Sequence, residues 1–411
     1  MKSRIACIPV LLGIASATLA QDIPEDLIVG GSYMVHANGE EGLAETIEAL
    51  QTYIANPEDI IVTPLLAESN IYHIVVPEFD SFIDDSIEME LINLTSVDDG
   101  PLEWYEPDYK LGVDQDNEGQ SGSLWVSGLG LSSADYKSQY AFNHLKLDAA
   151  HTKSQGEGVS IAILDTKPDR THPQIGNILK MIDLVDIGDS GSGSRTGGGL
   201  SGNGLDEDGD GYIDEALGHG TFVTALVQSV APKAGIVSIV VLNDDGVGSA
   251  ATLALGISLA LNEGAHIISL SLGSDNESLA VSSVIEYAIE SGVSVFASVG
   301  NTGDWGCLFP ARHPDVTAVG ASNADMTLAN ISSYNLELDL VAPGLSNLIS
   351  GPGDTSRLLI GPTLGTEYVA GSGTSFSTAL AAGAGALIRA QLVNLNTEQV
   401  SLGQIGSRIR K

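Results

Sequence analysis

Short apolar runs and segments of helical spacing alternate along the first part of the chain, from about Leu27 to Tyr109. Short runs bounded by turn residues favour strands, and apolar residues that recur every three to four positions favour helices. The resulting order, β-α-β-β-α-β, is that of a ferredoxin-like α+β fold. The predicted strands are residues 27–36, 60–65, 71–76 and 103–108, and the predicted helices are residues 42–53 and 83–94.

A second pattern begins at about Tyr136, where near-continuous apolar runs alternate with helical segments. Strands that are apolar along their whole length are typical of a parallel sheet covered by helices on both faces, so we expect a mostly parallel α/β fold. Functional residues in such sheets lie at the carboxyl ends of the strands. The predicted strands are residues 159–164, 236–242, 266–270, 293–298 and 316–319, and the predicted helices are residues 219–230, 250–263 and 278–290.

Glycine and serine dominate two stretches between these patterns. Residues 112–133 are predicted to be a linker, and residues 188–204 a surface insertion.

The first twenty residues have the layout of a secretory signal. Lys2 and Arg4 precede an apolar stretch at residues 5–12, and small residues lead to Ala20, after which we expect cleavage. The alternative is a buried N-terminal helix. No later stretch has roughly 20 uninterrupted apolar residues, as a membrane span needs, so we expect a soluble product that is secreted, or periplasmic.

The chain is strongly acidic, with 17 basic against 53 acidic residues and a net charge of -36. Nucleic acid and anionic membranes are therefore poor partners for this chain, whereas cations are favoured. Two cysteines occur, and Cys7 lies in the predicted signal. Cys307 is predicted to be a small apolar filler, with a catalytic thiol as the alternative.

Three residues at the ends of predicted elements carry nucleophilic chemistry: Asp165, His219 and Ser375. A serine hydroxyl needs a neutral imidazole to accept its proton and a carboxylate to orient that imidazole. Taken singly, each has an ordinary alternative: a turn aspartate, a buried histidine and a helix cap. His172 also follows Asp165 and is the nearest competitor for the imidazole role.

The motifs around these residues resemble those of the subtilisin-like serine proteases, from about residue 136 to about residue 400. They are Ile161-Ala162-Ile163-Leu164-Asp165-Thr166, Gly218-His219-Gly220-Thr221 and Gly373-Thr374-Ser375. The resemblance implies a subtilisin-like three-layer fold and an endopeptidase that cuts proteins or peptides. Asp165 then orients His219, His219 is the base and Ser375 the nucleophile. It also implies that His172, in a His-Pro pair, is structural.

The resemblance extends to the groups that would bind substrate. Asn301 matches the family's oxyanion donor, with the Ser375 amide as the second donor. The substrate strand would lie between Ser271-Leu272-Gly273 and Gly246-Val247-Gly248. The first specificity pocket would be walled by Ser271 to Gly273 and by Ala297 to Gly300, which are small and uncharged. We expect this pocket to accept large apolar or otherwise varied side chains.

An acidic stretch at residues 206–214 follows the first nine positions of a calcium loop. The twelfth position is Leu217 instead of glutamate, so we do not expect an ordinary EF-hand. We expect a structural calcium site completed elsewhere, with a solvated acidic turn as the alternative. The candidate ligands are Asp206, Asp208, Asp210, the Tyr212 carbonyl and Asp214.

The resemblance also divides the chain into a signal peptide at residues 1–20, a propeptide and linker at residues 21–120 and a catalytic domain at residues 121–411. The propeptide would assist folding and inhibit the enzyme, and cleavage would fall between Gly112 and Asp135. The alternative is an unrelated small domain that stays attached. The mature enzyme is expected to be a monomer.

Three residues depart from the family pattern. Lys167 stands where glycine is usual, and a positive φ there would strain it. Ala379 and Leu380 replace the usual proline and histidine. These departures motivate the alternative of a weak or inactive relative that binds peptides. The acidic loop alone motivates a third class, a calcium-dependent surface protein.

Overall fold

The computed structural model describes residues 28–54, 56–76, 81–97, 99–113, 124–185, 202, 204–206, 212–347 and 354–394. The predicted signal peptide and most of the predicted 188–204 insertion lie outside these residues. The chain forms two units, residues 1–109 and residues 110–411.

The first unit is a four-stranded antiparallel sheet with two helices, as the sequence pattern predicted. Its strands occur in the spatial order β2-β3-β1-β4, which is the ferredoxin-like arrangement. Apolar residues of β1, including Tyr33 and Val35, form one core with Ile87 and Leu91 of α2. The elements are β1 (Ile28–Ala37), α1 (Gly39–Leu50), β2 (Ile61–Leu66), β3 (Ile71–Val75), α2 (Ser81–Thr95) and β4 (Leu102–Gly112).

The second unit is built on a seven-stranded sheet in which every neighbouring pair of strands is parallel. This confirms the predicted α/β class. The strands, in their spatial order, are β13 (Leu340–Pro343), β12 (Thr317–Ser322), β11 (Ser294–Ser298), β10 (Ile267–Leu270), β6 (Ser160–Asp165), β8 (Gly235–Val240) and β7 (Ile178–Asp183).

Helices cover both faces of this sheet. Ile161 and Ile163 of β6 share a core with the helices α6 (His219–Val230) and α9 (Thr374–Asn394). Leu164, the residue after Ile163, points to the other face, where it lies against Gly256 of α7 (Ala250–Asn262). α7 packs in turn on α8 (Leu279–Glu290). The alternation of side chains along one strand therefore produces three layers.

Smaller elements complete the second unit. The predicted linker contains a strand, β5 (Leu124–Val126), which pairs antiparallel with β15 (Tyr368–Ser372), and β15 pairs with β14 (Leu359–Pro362). A short apolar run within a polar segment has formed this edge strand. The remaining elements are the short helices α3 (Ser133–Ser138), α4 (Tyr140–His144) and α5 (Leu147–His151) and the strand β9 (Val247–Ser249).

One helix in the described part of the chain, Thr374–Val393, is long and apolar enough to cross a membrane, and its most apolar stretch is 72% buried in the fold. No segment of this kind was expected from the sequence. Its apolar character comes largely from small residues, which are needed where helices pack closely: a Cβ on Gly383 would lie 2.7 Å from the Cβ of Val230 in α6.

Two stacked rings join α6 to α9. The rings of Phe222 and Phe376 lie 4.0 Å apart with an interplanar angle of 23°. Two glycines make room for them: a Cβ on Gly361 would lie 1.9 Å from Phe222, and one on Gly371 would lie 2.5 Å from it. The stack is therefore enclosed on the side of β14 and β15.

We predict that Gly361→Ala lowers the free energy of unfolding by about 1 to 3 kcal/mol, because the added methyl must displace the Phe222 ring in a packed core. Chemical denaturation measures the change. Gly176→Ala is the matched control, since the nearest atom to its new methyl is 3.4 Å away. Equal losses in the two variants would contradict the prediction.

Candidate active site

Asp165, the last residue of β6, is held by two hydrogen bonds to one carboxylate oxygen. Its Oδ1 accepts from the Thr166 backbone N–H at 2.7 Å and from Nδ1 of His219 at 2.7 Å. Both side chains of this acid-imidazole pair are buried. Because the carboxylate accepts the Nδ1 proton, it selects the tautomer in which Nε2 can act as a base.

Thr166 fixes the distance between the acid and the imidazole. Its Oγ1 accepts from the Gly220 N–H at 2.9 Å, and its carbonyl oxygen would lie 2.0 Å from a Cβ at Gly220. Only glycine fits there, so the first turn of α6 sits directly against the end of β6. This role of Thr166 was not predicted from the sequence, although its place directly after Asp165 was a signal.

Ser375 lies in the first turn of α9, where backbone N–H groups and the helix dipole favour negative charge. Its Oγ donates to the Ser271 carbonyl at 3.5 Å, and Ser271 Oγ donates to the Ser375 carbonyl at 3.1 Å. The ring of the next residue, Phe376, is 5.6 Å from the His219 ring. The structure thus brings the hydroxyl, the imidazole and the carboxylate to one edge of the sheet.

Asn301 follows Gly300, whose φ of +110° favours glycine, at the end of β11. The Oδ1 of Asn301 accepts from the backbone N–H of Thr374, the residue before Ser375, at 2.8 Å. A carboxamide anchored through its oxygen presents Nδ2 as its donor. The predicted oxyanion donor therefore lies beside the predicted nucleophile.

The segments predicted to flank the substrate hold an extended piece of the chain itself. Lys110–Gly112 pairs antiparallel with Val247–Ser249 in the second unit. On the other side, Gly112 exchanges two backbone hydrogen bonds with Gly273, at 3.0 and 2.8 Å. The Val113 N–H donates to the Gly246 carbonyl at 3.0 Å. These segments can therefore bind a peptide strand through main-chain bonds alone.

The other residues predicted to bind substrate contribute backbone groups to the site more than side-chain groups. Leu272 and Ala297 point into the core, where both are fully buried. Gly248 lies opposite Leu111, and a Cβ on Gly248 would lie 2.3 Å from the Val241 carbonyl. Glycine is needed at position 248 because the backbone of Val241 lies too close to leave room for a side chain.

The departures from the family pattern cause no distortion in the described residues. Lys167 is not among the non-glycine residues with positive φ, and its Nζ forms an ion pair with Asp183 Oδ2 at 3.1 Å. The strain considered for this position is absent. Ala379 and Leu380 are fully buried in the core of α9, where an apolar pair packs well.

Two competing residues have other roles. Nδ1 of His172 accepts from the Gln174 N–H at 3.0 Å, and the His172 ring packs edge-on against Tyr368 at 5.2 Å. Burial, together with the Glu337 carboxylate, raises the pKa of the Cys307 thiol to about 11. Its Sγ donates to Asn335 Oδ1 at 2.8 Å. A thiol that stays protonated at neutral pH is a poor nucleophile, which favours the filler interpretation.

The predicted calcium loop is described only in part. Asp208 and Asp210 lie outside the described residues. The Asp214 carboxylate accepts from the Gly204 N–H at 3.1 Å, and Tyr212 is exposed. Within the ranges that the structure covers, no three His, Cys, Asp or Glu side chains are grouped as a metal site. Asp206, Tyr212 and Asp214 therefore do not by themselves make one.

Comparison with known proteins agrees with this geometry. The sequence model of the subtilase family matches residues 156–403. An alkaline protease of Alkalihalobacillus alcalophilus is 27% identical over 385 residues, 91% of this chain and 88% of the relative. Subtilisin BL of Lederbergia lenta is 31% identical over 278 residues, 65% of this chain and 94% of the relative. Subtilisin E of Bacillus subtilis is 30% identical over 247 residues, 57% and 59% of the two chains.

We predict that Thr166→Val lowers the free energy of unfolding by about 1 to 3 kcal/mol, because the buried Gly220 N–H loses its acceptor without access to water. Thr166→Ser keeps the hydroxyl and is expected to retain most of the stability. Thermal or chemical unfolding distinguishes the two. A serine variant as unstable as the valine variant would show that the threonine methyl, and not the hydrogen bond, matters.

Proposed function

Because the chain belongs to the subtilase family and is a serine endopeptidase that acts on proteins, we propose that it cuts peptide bonds with a triad of Ser375, His219 and Asp165. The observation that carries this assignment is the 2.7 Å bond between Asp165 Oδ1 and His219 Nδ1, two residues from separate elements that meet at the sheet edge beside Ser375. The residues sit in the family's motifs in the expected order.

In the proposed reaction, Ser375 Oγ attacks the carbonyl carbon of the scissile bond while its proton passes to His219 Nε2. The tetrahedral oxyanion accepts hydrogen bonds from Asn301 Nδ2 and the Ser375 N–H. Collapse breaks the C–N bond, and the leaving amine takes the proton from Nε2. Water then attacks the acyl-enzyme, gives its proton to His219 and releases the acid as Ser375 regains its hydrogen.

Asp165 is proposed to remain ionised throughout. It holds the imidazole in one orientation and stabilises the imidazolium that forms at each proton transfer. Burial strengthens this interaction because water does not screen it.

We also propose that residues 21–120 are a propeptide that inhibits the enzyme. Residues 110–113 support this, since their main-chain bonds to Gly246, Val247–Ser249 and Gly273 are those that an extended substrate would make. An inhibitor delivered by the same chain binds at a high effective concentration. Maturation would fall beyond Val113, within the range of residues 112–135.

Export is proposed on the N-terminal sequence alone. Lys2 and Arg4 before a short apolar stretch, with cleavage after Ala20, would direct the precursor out of the cytoplasm. An extracellular precursor inhibited by its own N-terminal segment would protect the producing cell until maturation.

Labelling with a fluorophosphonate tests the function. Correctly folded, processed protein is expected to form an adduct at Ser375, and Ser375→Ala to remain unlabelled and unprocessed, because no other group attacks the scissile carbonyl. Ser377→Ala, two residues along the same helix, is the matched control and should still be labelled and processed. Mass spectrometry reads both the adduct and the mature N-terminus. Folded, processed wild-type protein without an adduct would favour the inactive, peptide-binding alternative.

A calcium site in the 206–214 loop is proposed on the sequence pattern. Crowded carboxylates repel one another without a cation, and oxygen ligands at these spacings suit calcium. The role would be structural, joining the loop to the fold, with no part in bond cleavage.

We predict that calcium raises the melting temperature of the protein relative to EDTA-treated protein, by an amount that grows with calcium concentration. Saturation at 100 times Kd would add about 2.7 kcal/mol. Asp214→Asn should reduce the calcium-dependent shift, whereas Asp148→Asn, at an exposed position of α5, should not. Scanning calorimetry measures the melting temperatures. Equal melting temperatures with and without calcium would contradict the proposed calcium site.

A further inference from the structure

The space between the two walls of the first specificity pocket contains a third segment, residues 307–309. The Leu308 N–H donates to the Val299 carbonyl at 3.0 Å, which ties this segment to the wall formed by Ala297 to Gly300. Phe309 and Ser274 exchange backbone hydrogen bonds at 2.9 and 2.8 Å, which ties it to the end of the other wall. Leu308 is thereby fixed in place by main-chain bonds on both sides.

The Leu308 side chain lies against both pocket glycines. A Cβ on Gly273 would come within 2.8 Å of Leu308 Cβ and 2.9 Å of its Cδ1. A Cβ on Gly300 would come within 3.2 Å of Leu308 Cγ and 3.3 Å of Cδ1. One isobutyl group therefore occupies the volume that both missing side chains leave open, and it is 8% exposed.

These walls begin at the proposed reaction centre. The Ser271 carbonyl at the start of one wall is 3.5 Å from Ser375 Oγ, and Gly300 at the end of the other directly precedes Asn301. The side chain of the residue whose carbonyl is attacked would have to enter between them. It would then meet Leu308 before it could extend far.

We propose that Leu308 shortens this pocket and makes the enzyme select small side chains, such as alanine or serine, at the residue that donates the scissile carbonyl. This inference rests on the proposed function and deepens it by naming the substrate class. It replaces the expectation from small wall residues alone, which was a roomy pocket for large apolar side chains. Packing at crystal-like density leaves no adjustable space for a phenyl ring where an isobutyl group is already enclosed.

Peptide p-nitroanilides that differ only in their last residue test the proposal on the processed enzyme. The kcat/KM for the alanine substrate is expected to exceed that for the phenylalanine substrate by at least about 10-fold, because each misfitted methylene in a pocket is worth about 10- to 200-fold. Leu308→Ala should raise the phenylalanine-to-alanine ratio of kcat/KM by at least about 10-fold. Leu308→Met keeps the volume and is the matched control, with an expected change in this ratio below about 3-fold.

Titration of active sites with a fluorophosphonate normalises each rate to the folded, reactive fraction, so instability of a variant does not enter the ratio. Labelled wild-type enzyme that cuts the phenylalanine substrate as well as the alanine substrate would overturn the inference and leave the proposed function intact. An unchanged ratio in Leu308→Ala would also overturn it. Protein that is neither labelled nor active on any of the substrates would overturn the proposed function, and the inference would fall with it.

Discussion

The parallel pairing of β6, β10 and β11 is the constraint on which the rest of the site depends. Leu270 of β10 lies opposite Leu164 on one side and Ala297 on the other. That register fixes where Asp165, Ser271 and Asn301 emerge, since each follows or ends one of these strands. A slip of one residue would move a side chain by about 3.3 Å and turn it to the other face. A 2.7 Å hydrogen bond to His219 would not survive such a displacement.

Main-chain and side-chain recognition are separated in this site. The bonds to residues 110–113 involve backbone groups of glycine-containing segments, which any peptide can satisfy. Such contacts contribute affinity and leave the sequence of the bound strand open. Discrimination between substrates then falls to enclosed volumes. Leu308, which packs against Gly273 and Gly300, is the residue proposed to limit one of these volumes, and it lies 35 residues along the chain from Gly273.

Much of the architecture could be predicted from the sequence. The helix predicted at residues 219–230 occurs as His219–Val230, and the β-α-β-β-α-β order of the first unit was confirmed. Strong periodicity identifies such elements. The strand β7 was missed because Ile178–Asp183 is partly exposed and mixes polar with apolar residues. The strand β13 was missed because Leu340–Pro343 is only four residues long and ends in proline. The helix α9 was not counted as an apolar stretch of membrane-spanning length because Thr378, Arg389 and Gln391 interrupt its apolar residues.

The geometry of the site was less accessible from the sequence. The motifs placed Asp165, His219 and Ser375 in order, but Thr166 and Leu308 act through contacts that span the fold. In the sequence Cys307-Leu308-Phe309, the leucine is typical of an ordinary core residue. Its packing against Gly273 and Gly300 depends on chain reversals that the order of apolar and polar residues does not predict. For Lys167, the sequence raised a question of strain that only the backbone conformation answered.

The ring stack between α6 and α9 has an evolutionary consequence. Phe222 and Phe376 touch at 4.0 Å, and Gly361 and Gly371 are shaped around them. Phe222 lies one helical turn beyond His219, and Phe376 is next to Ser375. A side chain at Gly361 or Gly371 would be tolerated only together with a smaller residue in place of one of the rings. The effect of a substitution at any one of these four positions therefore depends on the residues at the other three. A different packing could evolve only through several coordinated substitutions, or through intermediates in which the base and the nucleophile are misaligned.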